Sequence, residues 1–176
     1  DEQTPPSNQS AIRKFVAAAH RQSFSTELIT NDDYARLSEF DALFIRTTTF
    51  VNHYTYRFAR RAAAEGLAVI DDPLSIARCT NKVYLAQLMK LHRVAIPHTT
   101  IVYREGVEQI AEQLKYPVVL KQPDSAFSLG VTKAANAEAF ESKVAQLLEK
   151  SEAVIIQAYL PSEYDWRVGL IDGEPL

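Results

Sequence analysis

Cysteine occurs once in these 176 residues, at Cys79, so no intrachain disulfide can form. No run reaches the ~18 consecutive apolar residues needed to span a bilayer. With a net charge of -3 there is no excess of Lys and Arg, which argues against a general electrostatic grip on nucleic acid or an anionic membrane. The opening "DEQTPPSNQS" has neither the basic start nor the apolar core of a signal peptide, and it does not begin with Met. We read residues 1–10 as a linker arriving from an upstream domain, and the protein as one of a reducing cytoplasm. Also missing are a Walker-type glycine loop, a GxGxxG run, a nucleophile-elbow serine, an internal repeat, and any metal-ligand spacing among Cys79 and the four histidines.

What is present is a core-forming chain, 47% hydrophobic, whose two halves follow different patterns. Before about residue 95, helical periods alternate with short apolar runs. Helices are expected over Ser10 to Arg21, in "DYARLSEF", over Tyr54 to Glu65 with Gly66 closing it, and from "DDP" to His92 in two pieces. Strands are expected at "TELIT", "DALFIRTT" and "LAVID", the last two buried on both faces and paired in parallel. After residue 95 come "TTIVY", a helix from Glu105 to Lys115, "YPVVLKQ", "GVTKAAN", an amphipathic helix from Ala137 to Lys150, "AVIIQAYL" and "DWRVGLI". That order suggests an antiparallel sheet with helices. The predicted architecture is α/β over 11–95 and α+β over 96–176, with a hairpin turn at Asp172-Gly173.

A few polar groups sit where bland chemistry is awkward. Lys82 follows Thr80 and Asn81, either of which can cap a helix, so its ammonium sits at the positive end of the helix dipole. It is a solvated surface lysine or one that waits for an anion. Lys121 ends the apolar "PVVLK", where burial of an ammonium calls for an anionic partner unless the chain snorkels out. The loop "QPDSAFSLG" is small and polar, and its backbone could lie over phosphates. Further on, Asp165 and Arg167 are two apart and share a face of the expected last strand. With Glu163 they form either a surface salt bridge or a polar site beyond an edge strand that offers its backbone to a ring. Tyr164 and Trp166 are core or rim aromatics, or stacking platforms.

Taken in order, "TNKVYLAQLM", "YPVVLKQPDSAFSLGV" and "QAYLPSEYDWRVGLIDGEP" resemble the ATP-grasp ligases, closest to the RimK-like and glutathione synthetase branch. The stretch from "DALFIRTTTF" to "TNKVYLA" is similar to RimK-related proteins with an extra N-terminal domain. The resemblance implies a pre-ATP-grasp domain over 11–95 and the small nucleotide-binding subdomain over 96–176, cut before the large subdomain. It implies that Lys82 and Lys121 hold ATP phosphates and that loop residues Ser125 and Ser128 belong to a phosphate lid. The backbone of Gln157, Ala158, Tyr159 and Leu160 would face adenine. Asp165, less surely Glu163, would take the ribose, and Arg167 would approach the transferred phosphate or acyl group. The lid is poorer in glycine than the family's. The implied function is an ATP-dependent carboxylate-amine ligase working through an acyl phosphate, with ATP, a carboxylate and an amine as partners. Mg²⁺ ligands are expected beyond residue 176, so this portion would be inactive alone; the alternative is a non-catalytic nucleotide-binding or regulatory module. Self-association is expected at the last, apolar strand.

Overall fold

The computed structural model describes residues 9–124 and 130–175, and its contacts divide into two units that part between Arg93 and Val94. In the first unit, α1 (Gln9–Arg21) leads through extended chain into a 3₁₀ helix, Asn31–Glu39. Then follow β1 (Ala42–Phe44), α2 (Tyr54–Ala64), β2 (Ala68–Ile70), α3 (Pro73–Thr80) and α4 (Lys82–Leu91). β1 and β2 pair in parallel, from Ala42 opposite Ala68 to Phe44 opposite Ile70. The core is small: Leu37, Phe58, Ala59 and Ala62 of α2, and Ile76 of α3 are its buried apolar side chains.

Capping chemistry explains the helix limits. Asp72 accepts from Leu74 N and Ser75 N at the start of α3, and Pro73 occupies its first turn, where a missing N–H costs nothing. Asn81 ends α3 and begins α4, accepting from Val83 N and Tyr84 N at 3.0 Å each. Gly66 follows α2 at φ +86, the left-handed position that a helix end favours.

One strand expectation fails here, and two hold for the strand and its parallel pairing but not for its burial. "TELIT" forms no strand: Leu28 is exposed, and Thr30 instead caps the 3₁₀ helix in a box with Asp33. "DALFIRTT" yields only the three residues of β1, and both "DALFIRTT" and "LAVID" are covered far less than a two-sided buried strand would be. Within β1 and β2 only the middle residues, Leu43 and Val69, are half-buried, while Phe44 and Ile70 are exposed. An apolar run signals burial without saying how many partner strands exist to provide it.

The second unit is built on β3 (Thr99–Tyr103), β4 (Val118–Lys121), β5 (Val131–Ala134) and β6 (Ala153–Ala158), all antiparallel in the order β3-β6-β4-β5. Strand alternation sorts its two faces. Val102, Val118, Leu120, Ala134, Val154 and Ile156 pack against Phe140, Val144 and Leu148 of α6 (Ala137–Leu148), with α5 (Val107–Ala111) beside them. The second face carries Thr99, Val119, Lys121, Lys133 and Gln157. The helix expected over Glu105 to Lys115 is shorter: a 3₁₀ turn, Arg104–Gly106, precedes α5, which has no side-chain N-cap bond. The expected strand "DWRVGLI" shrinks to β7 (Leu170–Ile171), which pairs with β8 (Glu174–Pro175) around Asp172 and Gly173. Both turn residues have positive φ, +51 and +80, as the expected hairpin turn requires.

Candidate functional site

Within the second unit, sheet register assembles a polar group across three strands. Lys121 ends β4, and its Nζ donates to Gln157 Oε1 on β6 at 2.6 Å. Gln157 Nε2 donates to Thr99 Oγ1 on β3 at 2.9 Å, and Thr99 Oγ1 donates to Pro97 O at 2.7 Å. Thr99 and Gln157 are paired directly, and Val119, two residues before Lys121, also pairs with Gln157. The partner of the half-buried Lys121 is therefore a neutral amide, not the anion its burial suggests. Among the described residues no ion pair involves Lys121, and a neutral acceptor leaves its positive charge in place.

Two features beside this group escaped the sequence reading. Lys133 lies opposite Val119 on β5, with Nζ 3.6 Å from the centroid of the Tyr159 ring, a cation–π contact. Thr99 carried no local motif, since only its pairing with Gln157 shows its use. Period-two alternation along "VTKAAN" could have placed Lys133 on the same face as Lys121, once the two strands were known to pair in this register.

Gln157 and Ala158 end β6, and Tyr159 and Leu160 run beyond it. The expectation of an edge strand is not met, because β6 lies between β3 and β4. Ala158 N donates to His98 O and Tyr159 N to Pro117 O, so those two amides are already engaged. Glu163, Asp165 and Arg167 lie in an exposed segment without regular structure, so the shared strand face expected for Asp165 and Arg167 does not form. Among the described residues no ion pair joins the three. Tyr164 and Trp166 meet edge to face with centroids 5.6 Å apart, and Trp166 is 82% exposed, so these two rings form no part of a core. Ser125 and Ser128 lie outside the described residues. Gly130, just after them, sits at φ +66, and a Cβ there would come within 2.3 Å of Gln122 Oε1, which explains a glycine at the entry to β5.

Lys82 belongs to the first unit, at the start of α4 behind its Asn81 cap. Asn81 Nδ2 also donates to Asp124 Oδ1, a residue grouped with this unit, at 2.8 Å. Lys82 lines a cleft of about 520 Å³ at the carboxyl ends of β1 and β2, with Arg46, Thr47, Thr48, Asp71 and Thr80 among its walls. Ligands of parallel α/β sheets gather at that end. Arg46, which sequence reasoning passed over, stacks over Phe15 at 4.9 Å and Phe44 at 5.1 Å. Among the described residues the hydroxyls of Thr47 and Thr48 are buried without a hydrogen-bond partner. Two cations against one carboxylate suit the cleft to an anion.

Residues 86–176 match the family model described as the D-ala D-ala ligase C-terminus. The alpha-aminoadipate–LysW ligase LysX of Sulfurisphaera tokodaii is 26% identical over 140 residues, 76% of this chain and 46% of that protein. Its counterpart in Saccharolobus solfataricus is 30% identical over 78 residues, 44% of this chain and 28% of that one. The chain thus spans about half or less of the length of these curated relatives. Among solved structures, D-cycloserine synthetase DcsG superposes with a TM-score of 0.64 at 22% identity, covering 85% of this chain and 54% of that one. A RimK domain ATP-grasp protein from Sphaerobacter thermophilus gives 0.60 at 20% identity, covering 70% and 47%. With the antiparallel sheet, its lysine-bearing face and the family match in agreement, the chain belongs to the ATP-grasp ligases, in the D-ala D-ala ligase C-terminus family with RimK-like relatives.

Proposed function

We propose that this chain carries nucleotide contacts of an ATP-dependent carboxylate-amine ligase, in which a carboxylate oxygen takes the γ-phosphoryl group of ATP. An amine nitrogen then attacks the acyl phosphate carbon and phosphate leaves. Lys121 and Lys82 would neutralise phosphate charge, the electrostatic work that dominates phosphoryl transfer. The observation that carries the reading is Lys121, whose ammonium is held by a neutral amide inside the region matched by the family model and keeps its charge for an anion. Lys133, on the same face, adds a second cation. The segment from Gln157 to Leu160 would flank adenine, with Tyr159 offering a ring face.

Asp165 and Glu163 would reach the ribose, and Arg167 the transferred phosphate or acyl group, once a ligand orders their exposed segment. The same reading extends to a glutathione synthetase-like, cytoplasmic enzyme, with Ser125 and Ser128 in a phosphate lid. Mg²⁺ would accompany ATP in such chemistry and would supply positive charge to its phosphates. Among the described residues no group of three or more His, Cys, Asp or Glu could hold a metal ion.

Calorimetric titration with ATP tests the reading. Wild type is expected to bind, and Lys121→Ala to bind at least about ten-fold more weakly, the scale of a lost charge-assisted bond to phosphate. No heat beyond dilution from folded wild type would rule out nucleotide binding by this chain.

A further inference from the structure

Sequence reasoning assigns Gln157 a role through its backbone, yet its side chain has two definite partners. Donor chemistry leaves a single arrangement. An ammonium only donates, so the atom facing Lys121 Nζ at 2.6 Å must be the amide oxygen. Thr99 directs its one hydroxyl hydrogen to Pro97 O at 2.7 Å, so toward Gln157 it presents an acceptor, which calls for the amide NH₂ at 2.9 Å. A flipped amide would set NH₂ against NH₃⁺ and oxygen against oxygen. Thr99 therefore selects the orientation of Gln157 that accepts from Lys121.

The relay also spans the sheet. Thr99 on β3 pairs across β6 with Gln157, and Lys121 sits diagonally on β4, so strand register sets all three side chains on one face. A lysine has a flexible four-carbon stem and three ammonium hydrogens. Engaging one hydrogen fixes where the other two point.

We propose that Gln157, oriented by Thr99, is a positioning residue that holds the Lys121 ammonium for a phosphate oxyanion. This rests on the nucleotide reading above and adds to it two side chains that act through the lysine. The lysine alone would touch the ligand.

The test is calorimetric titration of the full chain with ADP and, separately, adenosine, for wild type, Thr99→Val, Thr99→Ser and Gln157→Met. ADP binding is expected to weaken about ten-fold in Thr99→Val and Gln157→Met, and Thr99→Ser to restore it to within about two-fold. Adenosine, which has no phosphate, should bind Thr99→Val and Thr99→Ser as it binds wild type. If wild type binds ADP and both Thr99→Val and Gln157→Met bind it equally well, the positioning role is overturned while the nucleotide reading stands. Equal losses for ADP and adenosine, or no recovery in Thr99→Ser, overturn the role as well, because they signal a damaged sheet. If folded wild type binds no ADP, both readings fall. Should Thr99→Val not fold, Gln157→Met decides alone.

Discussion

Asp72 shows how one carboxylate can be read both from sequence and from structure. "DDP" announces a helix start, and in the structure Asp72 accepts from the Ser75 hydroxyl and from the amides of Ser75 and Leu74. The Ser75 hydroxyl bond first, then those backbone bonds, hold its carboxyl below the usual carboxylate range. A depressed folded value means stability that is fully present above the unfolded value of about 3.9 and is lost as pH falls through the lower folded value. Asp72→Ala should cost about 0.5–2 kcal/mol at neutral pH, the usual worth of an N-cap. Chemical denaturation from pH 7 down to acid should show the wild-type advantage over Asp72→Ala shrinking below about pH 4. A constant difference across that range would count against the cap. Asn81→Ala should likewise cost about 1 kcal/mol, through loss of its cap bonds to Val83 N and Tyr84 N.

Elements were legible in proportion to how much of their pattern is local. α6 and the break at Asn81 between α3 and α4 follow from helical period and capping residues, which act within one turn. β1 and β7 came out shorter than their apolar runs, because strand length depends on partners elsewhere in the chain. The central strand β6 is apolar through Ile156 and buried, and Phe140 of α6 lies wholly buried against its face. Phe140→Ala should therefore destabilise the unit containing it by about 3–5 kcal/mol, measured by urea unfolding followed through amides of β4 and β6. A loss below about 1 kcal/mol would mean that this face is not the core of the sheet. Gly130→Ala should cost about 1 kcal/mol or more, since φ is +66 and Gln122 must move aside.

Across the whole molecule the most unusual surface is the run from Leu160 to Ile171. Tyr164, Val168, Leu170 and Ile171 are each more than 60% exposed, with Trp166 more exposed still. Apolar groups clustered this way favour association. Sedimentation velocity at rising concentration should show a growing fraction of larger species, and Trp166→Ser should reduce it; a monomer at all concentrations would contradict this. Nucleotide should act at the same scale, raising the unfolding free energy by about 2.7 kcal/mol at a hundred-fold excess over Kd, and Lys121→Ala should lose most of the shift at that same nucleotide concentration.

Order, capping and alternation along the sequence by themselves determined an α/β first half, an antiparallel second half, the turn at Asp172-Gly173 and a lysine at the end of β4. These depend on neighbours within a few positions, so a linear reading reaches them. Which strand lies between which, that Lys121 meets an amide rather than an acid, and that Thr99 and Lys133 share its face were decided only by tertiary structure. Each depends on pairing residues up to 58 positions apart, as for Thr99 and Gln157, and such register is set by the packing of the whole sheet rather than by any short stretch.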